Sequence, residues 1–236
     1  IRSGKGVNVP NTSLALPDIT EADIADIRLG CQLDVDIIAA SFVRTPEQIL
    51  AIKKLVAEEN RSEIRIIAKI ENSEGVANFD SIIQVADGIM IARGDLGVEV
   101  PLSQVPKLQK MMIRKSYLAG KPSVTATQML ESMIVAPTPT RAEVSDVATA
   151  IYDGADAVML SGETAAGKYP LESIRTMAKI AHAAEMALNY KELLQKRIQL
   201  ADEKGVTSAV SHATANTALE LDATAIITAT SSGFTA

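Results

Sequence analysis

The sequence predicts an α/β fold built on parallel strands, and three observations lead there. Short apolar runs alternate with longer stretches of helical spacing along most of the 236 residues. The runs are apolar nearly throughout, as strands covered on both faces are. One pattern also recurs, in Asp36-Ile37-Ile38-Ala39-Ala40-Ser41, Asp87-Gly88-Ile89-Met90-Ile91-Ala92 and Asp156-Ala157-Val158-Met159-Leu160-Ser161. Each is an Asp, then apolar or small residues, then a small or hydroxyl residue at the end. Repeated strand–helix units of this kind make a parallel sheet or a barrel.

Taken in order, helical spacing over residues 21–29 precedes a strand over 35–41. Thr45-Pro46-Glu47-Gln48 then combines an N-cap, a proline at the first helical position and a capping-box glutamine, opening a helix that runs to 58. Strands follow over 64–70 and 88–92, with a helix over 76–85 between them. Pro101 and Pro106 mean that the segment after Gly97 is not one simple helix, and a regular pattern occupies 105–118. A strand over 123–127 leads to the capping box Thr140-Arg141-Ala142-Glu143 and a helix over 142–152. After a fifth strand over 156–160, Pro170-Leu171-Glu172 opens a long helix expected to reach Gln195. Residues 191–205 are charged and linker-like, so a domain boundary is expected near 189–205. Helical spacing over 206–221 then runs into a strand at Ala225-Ile226-Ile227-Thr228. Five strands are too few for a closed (β/α)8 barrel. Either the sheet is open or the chain is part of a larger protein. The start, Ile1-Arg2-Ser3 rather than Met, hints at processing or truncation.

Composition narrows the function classes. At 47% hydrophobic residues the chain can bury a large core, and its scarcity of aromatics suits tightly packed Ala, Ile and Val layers. Lys and Arg number 23 against 29 Asp and Glu, a net charge of −6 without a basic cluster, which argues against nucleic acid. Cys31 is the single cysteine, so no internal disulfide forms and a reducing compartment is expected. No apolar run approaches the roughly 18 residues of a membrane span, and the N-terminus lacks a signal-peptide pattern.

Charged residues at strand ends carry the chemistry. In Ile64-Arg65-Ile66-Ile67-Ala68-Lys69-Ile70-Glu71, alternation puts Ile67, Lys69 and Glu71 on one face and Ile66, Ala68 and Ile70 on the other. Asp95 lies in Arg93-Gly94-Asp95-Leu96-Gly97, the turn leaving the next apolar run. Carboxyl ends of parallel strands are where α/β enzymes keep their sites. Glu71 and Asp95 suit Mg2+, which takes few carboxylates plus water and substrate oxygens. Lys69 beside them suits a transferring phosphoryl group, whose chemistry is mostly positioning and charge stabilisation. The same residues also read as a salt-bridged strand end and an Asp-Gly turn. If a short helix starts near Gly94, its free N–H groups would hold an anion such as a carboxylate. Thr127 can relay a proton through water, although threonine is also an ordinary strand former, as at Thr125. Ser161-Gly162-Glu163 is not a nucleophile elbow. His182 and His212, both in helical patterns, leave little for a Ser-His-acid triad or a zinc site. The hydroxyl-rich Thr230-Ser231-Ser232-Gly233-Phe234-Thr235 can offer donors to a phosphate, or form a plain turn.

Set together, these pieces resemble the pyruvate kinase family. Ile66-Ile67-Ala68-Lys69-Ile70-Glu71-Asn72 is similar to its signature strand, and Met90-Ile91-Ala92-Arg93-Gly94-Asp95-Leu96-Gly97-Val98-Glu99 to its metal-and-anion loop. Ala126-Thr127-Gln128-Met129-Leu130-Glu131-Ser132-Met133, Pro139-Thr140-Arg141-Ala142-Glu143-Val144-Ser145-Asp146-Val147-Ala148 and Met159-Leu160-Ser161-Gly162-Glu163-Thr164 follow in the family's order. The resemblance spans the whole chain. It implies a partial TIM (β/α)8 barrel, about strands four to eight, over residues 13–189. The exit of an inserted β-domain lid would occupy 1–12, and the beginning of an α/β regulatory domain 190–236.

The implied reaction converts phosphoenolpyruvate and ADP into pyruvate and ATP, with Mg2+ (or Mn2+) and K+. Glu71 and Asp95 would hold the divalent ion and Lys69 would stabilise the phosphoryl group. Gly94 and Asp95 would bind the carboxylate through backbone N–H groups. Thr127 and Ser161 would line the pocket, with Thr127 in proton delivery to the enolate carbon. Lys5 would touch the nucleotide phosphates, Arg141 would make a subunit contact, and Thr230, Ser231, Ser232 and Thr235 would form an effector loop. A cytoplasmic homotetramer is implied for the full-length protein.

Family members are about twice this length, and their first barrel strands carry the K+ ligands, a phosphate-binding Arg and part of the nucleotide site. Lys168 also stands farther from Ser161 than the corresponding lysine of some members. The chain alone is therefore expected to be inactive. A Mg2+-dependent C–C lyase of the phosphoenolpyruvate/pyruvate barrel group is the alternative enzyme, and a non-catalytic ligand-binding fragment the alternative without turnover.

Overall fold

Five apolar runs pair into one parallel sheet whose spatial order is their sequence order: β1 (Ile37–Ala40), β2 (Arg65–Ile70), β3 (Gly88–Ala92), β4 (Ser123–Ala126) and β5 (Ala157–Met159). The computed structural model describes residues 17–200 and 205–229. Between and after the strands lie α1 (Glu21–Gln32), α2 (Pro46–Glu58), α3 (Ser73–Ala77), α4 (Phe79–Val85), α5 (Arg93–Glu99), α6 (Val105–Leu118), α7 (Arg141–Asp153), α8 (Gly162–Ala165) and α9 (Pro170–Met186). A compact unit ends at Glu185 and a second begins at Met186, where α10 (Tyr190–Leu200) and α11 (Val206–Glu220) are found.

The register explains why the sheet is a piece of a barrel rather than a doubly wound sheet. Ala40 pairs with Ala68, Ile70 with Ile91, and Ile91 with Thr125, so these residues share one face. That face is sealed: Ile66, Ala68, Ile70, Ile89, Ile91 and Thr125 are wholly buried, most of them packed with Ile49, Ile82, Met112 and Ile113 of the helices. On the opposite face Ile37 and Ala39 are exposed, Ile67, Lys69 and Val124 are half-buried, and Gly88, Met90, Ala92 and Ala126 are buried without joining the core that the helices cover. Helices therefore cover one face only, and strand order never reverses. Sheets wound in one direction with all helices outside are barrel walls. Burying an Ile side chain is worth about 1.5–3 kcal/mol, so the sealed face is what holds this wall together.

Local signals act as expected at several helix starts. Thr20 and Asp23 cap α1 reciprocally. Gln48 Oε1 accepts the Thr45 N–H at the start of α2. Thr140 and Glu143 form the full capping box of α7. Gly154, at φ 95°, ends α7 in the left-handed conformation that glycine adopts without steric cost.

The structure corrects other details. The helix expected over 76–85 is two short helices broken at Asn78, whose amide reaches back to the Arg44 carbonyl. Of the two alternatives for the segment after β3, the short helix near Gly94 is the one present, as α5. The long helix expected to reach Gln195 stops at Met186, and α10 begins afresh at Tyr190. Ala225-Ile226-Ile227-Thr228 is not a strand among the described residues, since no neighbouring strand is there to take its hydrogen bonds.

Candidate active site

The carboxyl ends of β2, β3 and β4 lie side by side, because all strands run parallel and neighbours pair in register. Lys69 reaches that end on the bare face. Its Nζ is 3.0 Å from Glu71 Oε1 and donates to Ser41 Oγ at 2.8 Å. The Glu71 side chain is 1% exposed, and its Oε2 accepts the Phe42 N–H at 2.5 Å. An ammonium has three donors and an ionised carboxylate about four acceptor sites. Two partners on each leave both groups with capacity for a ligand.

Asp95 is exposed in the first turn of α5, directly after β3. The Gly94 N–H donates to Thr127 Oγ1 at 2.7 Å, and that hydroxyl donates to the Ala126 carbonyl at 2.6 Å. A Cβ on Gly94 would stand 3.3 Å from Thr127 Oγ1, close enough that the Thr127 side chain would have to shift by a few tenths of an ångström. Thr127 thus ties the end of β4 to the start of α5. Ser161 follows β5, and its N–H donates to the Glu163 carboxylate at 2.8 Å. Arg141 is exposed at the first position of α7. Lys5, Thr230, Ser231, Ser232 and Thr235 lie outside the described residues.

Backbone strain marks the same region. Six non-glycine residues have positive φ among the described residues. Asp34, Asn60 and Asp222 are types that tolerate it. The others are Phe42 (φ 54°), Thr127 (φ 69°) and Gln128 (φ 55°), all just beyond the carboxyl end of a strand. Each such residue costs about 1–3 kcal/mol, and this strain gathers at functional sites. The Phe42 conformation aims its N–H at Glu71. The Thr127 conformation accompanies the Gly94 contact.

Two residues that sequence reasoning passed over hold this end in place. Arg93, 8% exposed, donates from Nη1 to Asp146 (2.7 Å) and Gln109 (3.3 Å), and from Nη2 to the Thr127 carbonyl (2.9 Å). Glu163, 2% exposed, accepts the N–H groups of Leu130 (3.0 Å) and Ser161 (2.8 Å). The only sequence signal for either was a charged residue inside an otherwise apolar or glycine-rich turn.

Among the described residues no three His, Cys, Asp or Glu side chains gather into a protein-only metal cage. A site built on Glu71 and Asp95 would draw its remaining ligands from substrate and water, as Mg2+ sites commonly do. Carboxylate oxygens are the donors that ion prefers.

Residues 1–174 match the family model of the pyruvate kinase barrel domain. The chain belongs to the pyruvate kinase family. It is 53% identical over 236 residues to a pyruvate kinase of Clostridium acetobutylicum, covering all of this chain and 50% of that protein. A pyruvate kinase of Bacillus licheniformis is 54% identical over 236 residues, and one of Geobacillus stearothermophilus 53% over 235; the chain covers 40% of each. The chain thus spans half or less of the length of these pyruvate kinases. No helix among the described residues is long and apolar enough to cross a membrane.

Proposed function

We propose that this chain supplies part of the catalytic site of a pyruvate kinase, which transfers the phosphoryl group of phosphoenolpyruvate to ADP and yields pyruvate and ATP. The observation that carries the proposal is the Lys69–Glu71 pair, 3.0 Å apart at the carboxyl end of β2. Family membership supports this reaction, and the pair offers a cation beside a buried carboxylate, the groups such a transfer uses.

Each residue has a role in this reading. Lys69, oriented by Ser41 and Glu71, offers its remaining donor to the phosphoryl oxygens and offsets their charge during transfer. Glu71 and Asp95 hold Mg2+ or Mn2+, which when bound grips substrate oxygens and neutralises developing charge. K+ is held by parts of the full-length protein beyond this chain. The start of α5, at Gly94 and Asp95, faces the substrate carboxylate. The Gly94 N–H is already engaged by Thr127, so a carboxylate would share or displace that hydroxyl. Thr127 donates its own proton to the Ala126 carbonyl. Proton delivery to the enolate carbon thus requires the hydroxyl to rotate or to work through water. Ser161, fixed through its N–H by Glu163, lines the pocket. Lys5 meets the nucleotide, and Thr230, Ser231, Ser232 and Thr235 meet an effector phosphate. The full-length enzyme is a cytoplasmic homotetramer with Arg141 at a subunit contact.

The test is a coupled assay of pyruvate release from phosphoenolpyruvate and ADP by the full-length protein. Mg2+-dependent turnover that Lys69→Met abolishes supports the reading. Release of a cleaved carbon skeleton without ATP would overturn it in favour of a C–C lyase.

A further inference from the structure

Arg93 is a buried cation with partners on three other parts of the fold. Its guanidinium bonds Asp146 on α7, Gln109 on α6, and the Thr127 carbonyl just past β4, and it lies 2.7 Å from Met129 Sδ. The next residue, Gly94, donates its N–H to Thr127 Oγ1. Residues 93 and 94 therefore grip Thr127 from both sides, Arg93 on its carbonyl and Gly94 on its hydroxyl. Thr127 and Gln128 are both left-handed, and two consecutive strained residues persist only where surroundings over-determine them. The charged, multiply anchored bond to the Thr127 carbonyl is such a constraint. Asp146 matters because it neutralises and orients the guanidinium, and α7, which carries it, begins at Arg141.

We propose that Arg93 is a positioning residue of the site, holding the left-handed Thr127–Gln128 turn so that Thr127 Oγ1 stays on the Gly94 N–H. Asp146 and Gln109 brace it, which couples the pocket to the packing of α6 and α7. The kinetic consequence rests on the phosphoryl-transfer reading above. The structural consequence does not.

The experiment is a double-mutant cycle in the full-length protein, joined to hydrogen exchange of the Gly94 amide. Arg93→Lys keeps the charge but cannot span the same partners. It is expected to lower kcat on the order of 100-fold, the scale of a small misplacement of a reacting group. In a Thr127→Ala background the same change is expected to cost less than about threefold, because the group it positions is gone. The Gly94 amide of Arg93→Lys is expected to exchange about tenfold faster relative to amides of the sheet core in the same variant, a ratio that a general loss of stability would not change. Should Arg93→Lys fail to fold, Asp146→Asn carries the same cycle, since it leaves the guanidinium present but unbraced. Equal losses in both backgrounds, or an unchanged Gly94 exchange rate, would overturn the inference. If the unaltered protein shows no transfer from phosphoenolpyruvate to ADP, the reaction reading falls, and the exchange data still decide the role of Arg93.

Discussion

The two ends of the same five strands are built to different rules. At the amino ends, acids close the sheet: Asp87 accepts the Ile66 N–H at 2.8 Å and pairs with Lys53 at 2.8 Å, and Asp156 accepts the Ser123 N–H at 2.8 Å. Lys121 caps the end of α4 by donating to the carbonyls of Ile83, Gln84 and Ala86. These partners are satisfied, and the left-handed positions in the loops entering the strands fall on Asp34, Asn60, Gly120 and Gly154, residue types that tolerate that conformation. At the carboxyl ends, charges keep spare capacity and three residues hold strained backbones. One end is spent on stability and the other holds polar groups ready for a ligand, the usual division of an α/β barrel.

Changes at the carboxyl end should therefore move activity, and changes at the amino end should move stability. After removal of Lys69, the largest effect is expected for Glu71→Gln in the full-length protein. Transfer should fall on the order of 100- to 1,000-fold, and Mg2+ affinity about 10- to 100-fold, while the thermal midpoint shifts little; steady-state kinetics against Mg2+ and calorimetry check both. Asp87→Ala should do the opposite. It removes a strand-end acceptor and an ion pair, costing about 1–3 kcal/mol in urea unfolding, with kcat of the folded protein unchanged. A drop in kcat without a loss of stability would break the division.

The pH dependence sharpens the same contrast. Burial pushes the Asp87 carboxyl up, but the bonds from Lys53 and the Ile66 N–H outweigh it and hold it below its ordinary value. A depressed carboxyl contributes stability that is complete above its unfolded value of about 3.9 and fades as pH falls through the lower folded value. The unaltered protein should lose stability below about pH 4, with Asp87 contributing a slope of at most about 1.4 kcal/mol per pH unit. Asp87→Ala should lack that share, which urea midpoints between pH 3 and 6 would measure. Gly94→Ala should have the smallest effect on folding, below about 1 kcal/mol, because its Cβ meets only the movable Thr127 side chain at 3.3 Å. Its cost should appear in transfer kinetics instead.

The strands were legible in the sequence because each is a short apolar run bounded by polar or turn residues, and Lys69, Glu71 and Asp95 stood out as charges at the ends of such runs. What escaped depends on contacts far apart in the chain. The Asp repeated before three of the five strands was visible as a pattern. Its purpose was not, because Asp87 takes the N–H of Ile66, 21 residues earlier, and Asp156 that of Ser123, 33 earlier. Arg93 read as one more charge in a turn, since its partners on α6, α7 and β4 come together only in the folded wall. The strand expected at 225–228 shows the converse. An apolar run alone does not make a strand when no neighbour takes its hydrogen bonds.

The central claim, that the carboxyl ends of these strands perform phosphoryl transfer, is tested most directly by the rate at which full-length Lys69→Met converts phosphoenolpyruvate and ADP into pyruvate and ATP. A loss on the order of 1,000-fold in a protein that still folds is the expected result. Undiminished turnover by that variant would contradict the claim.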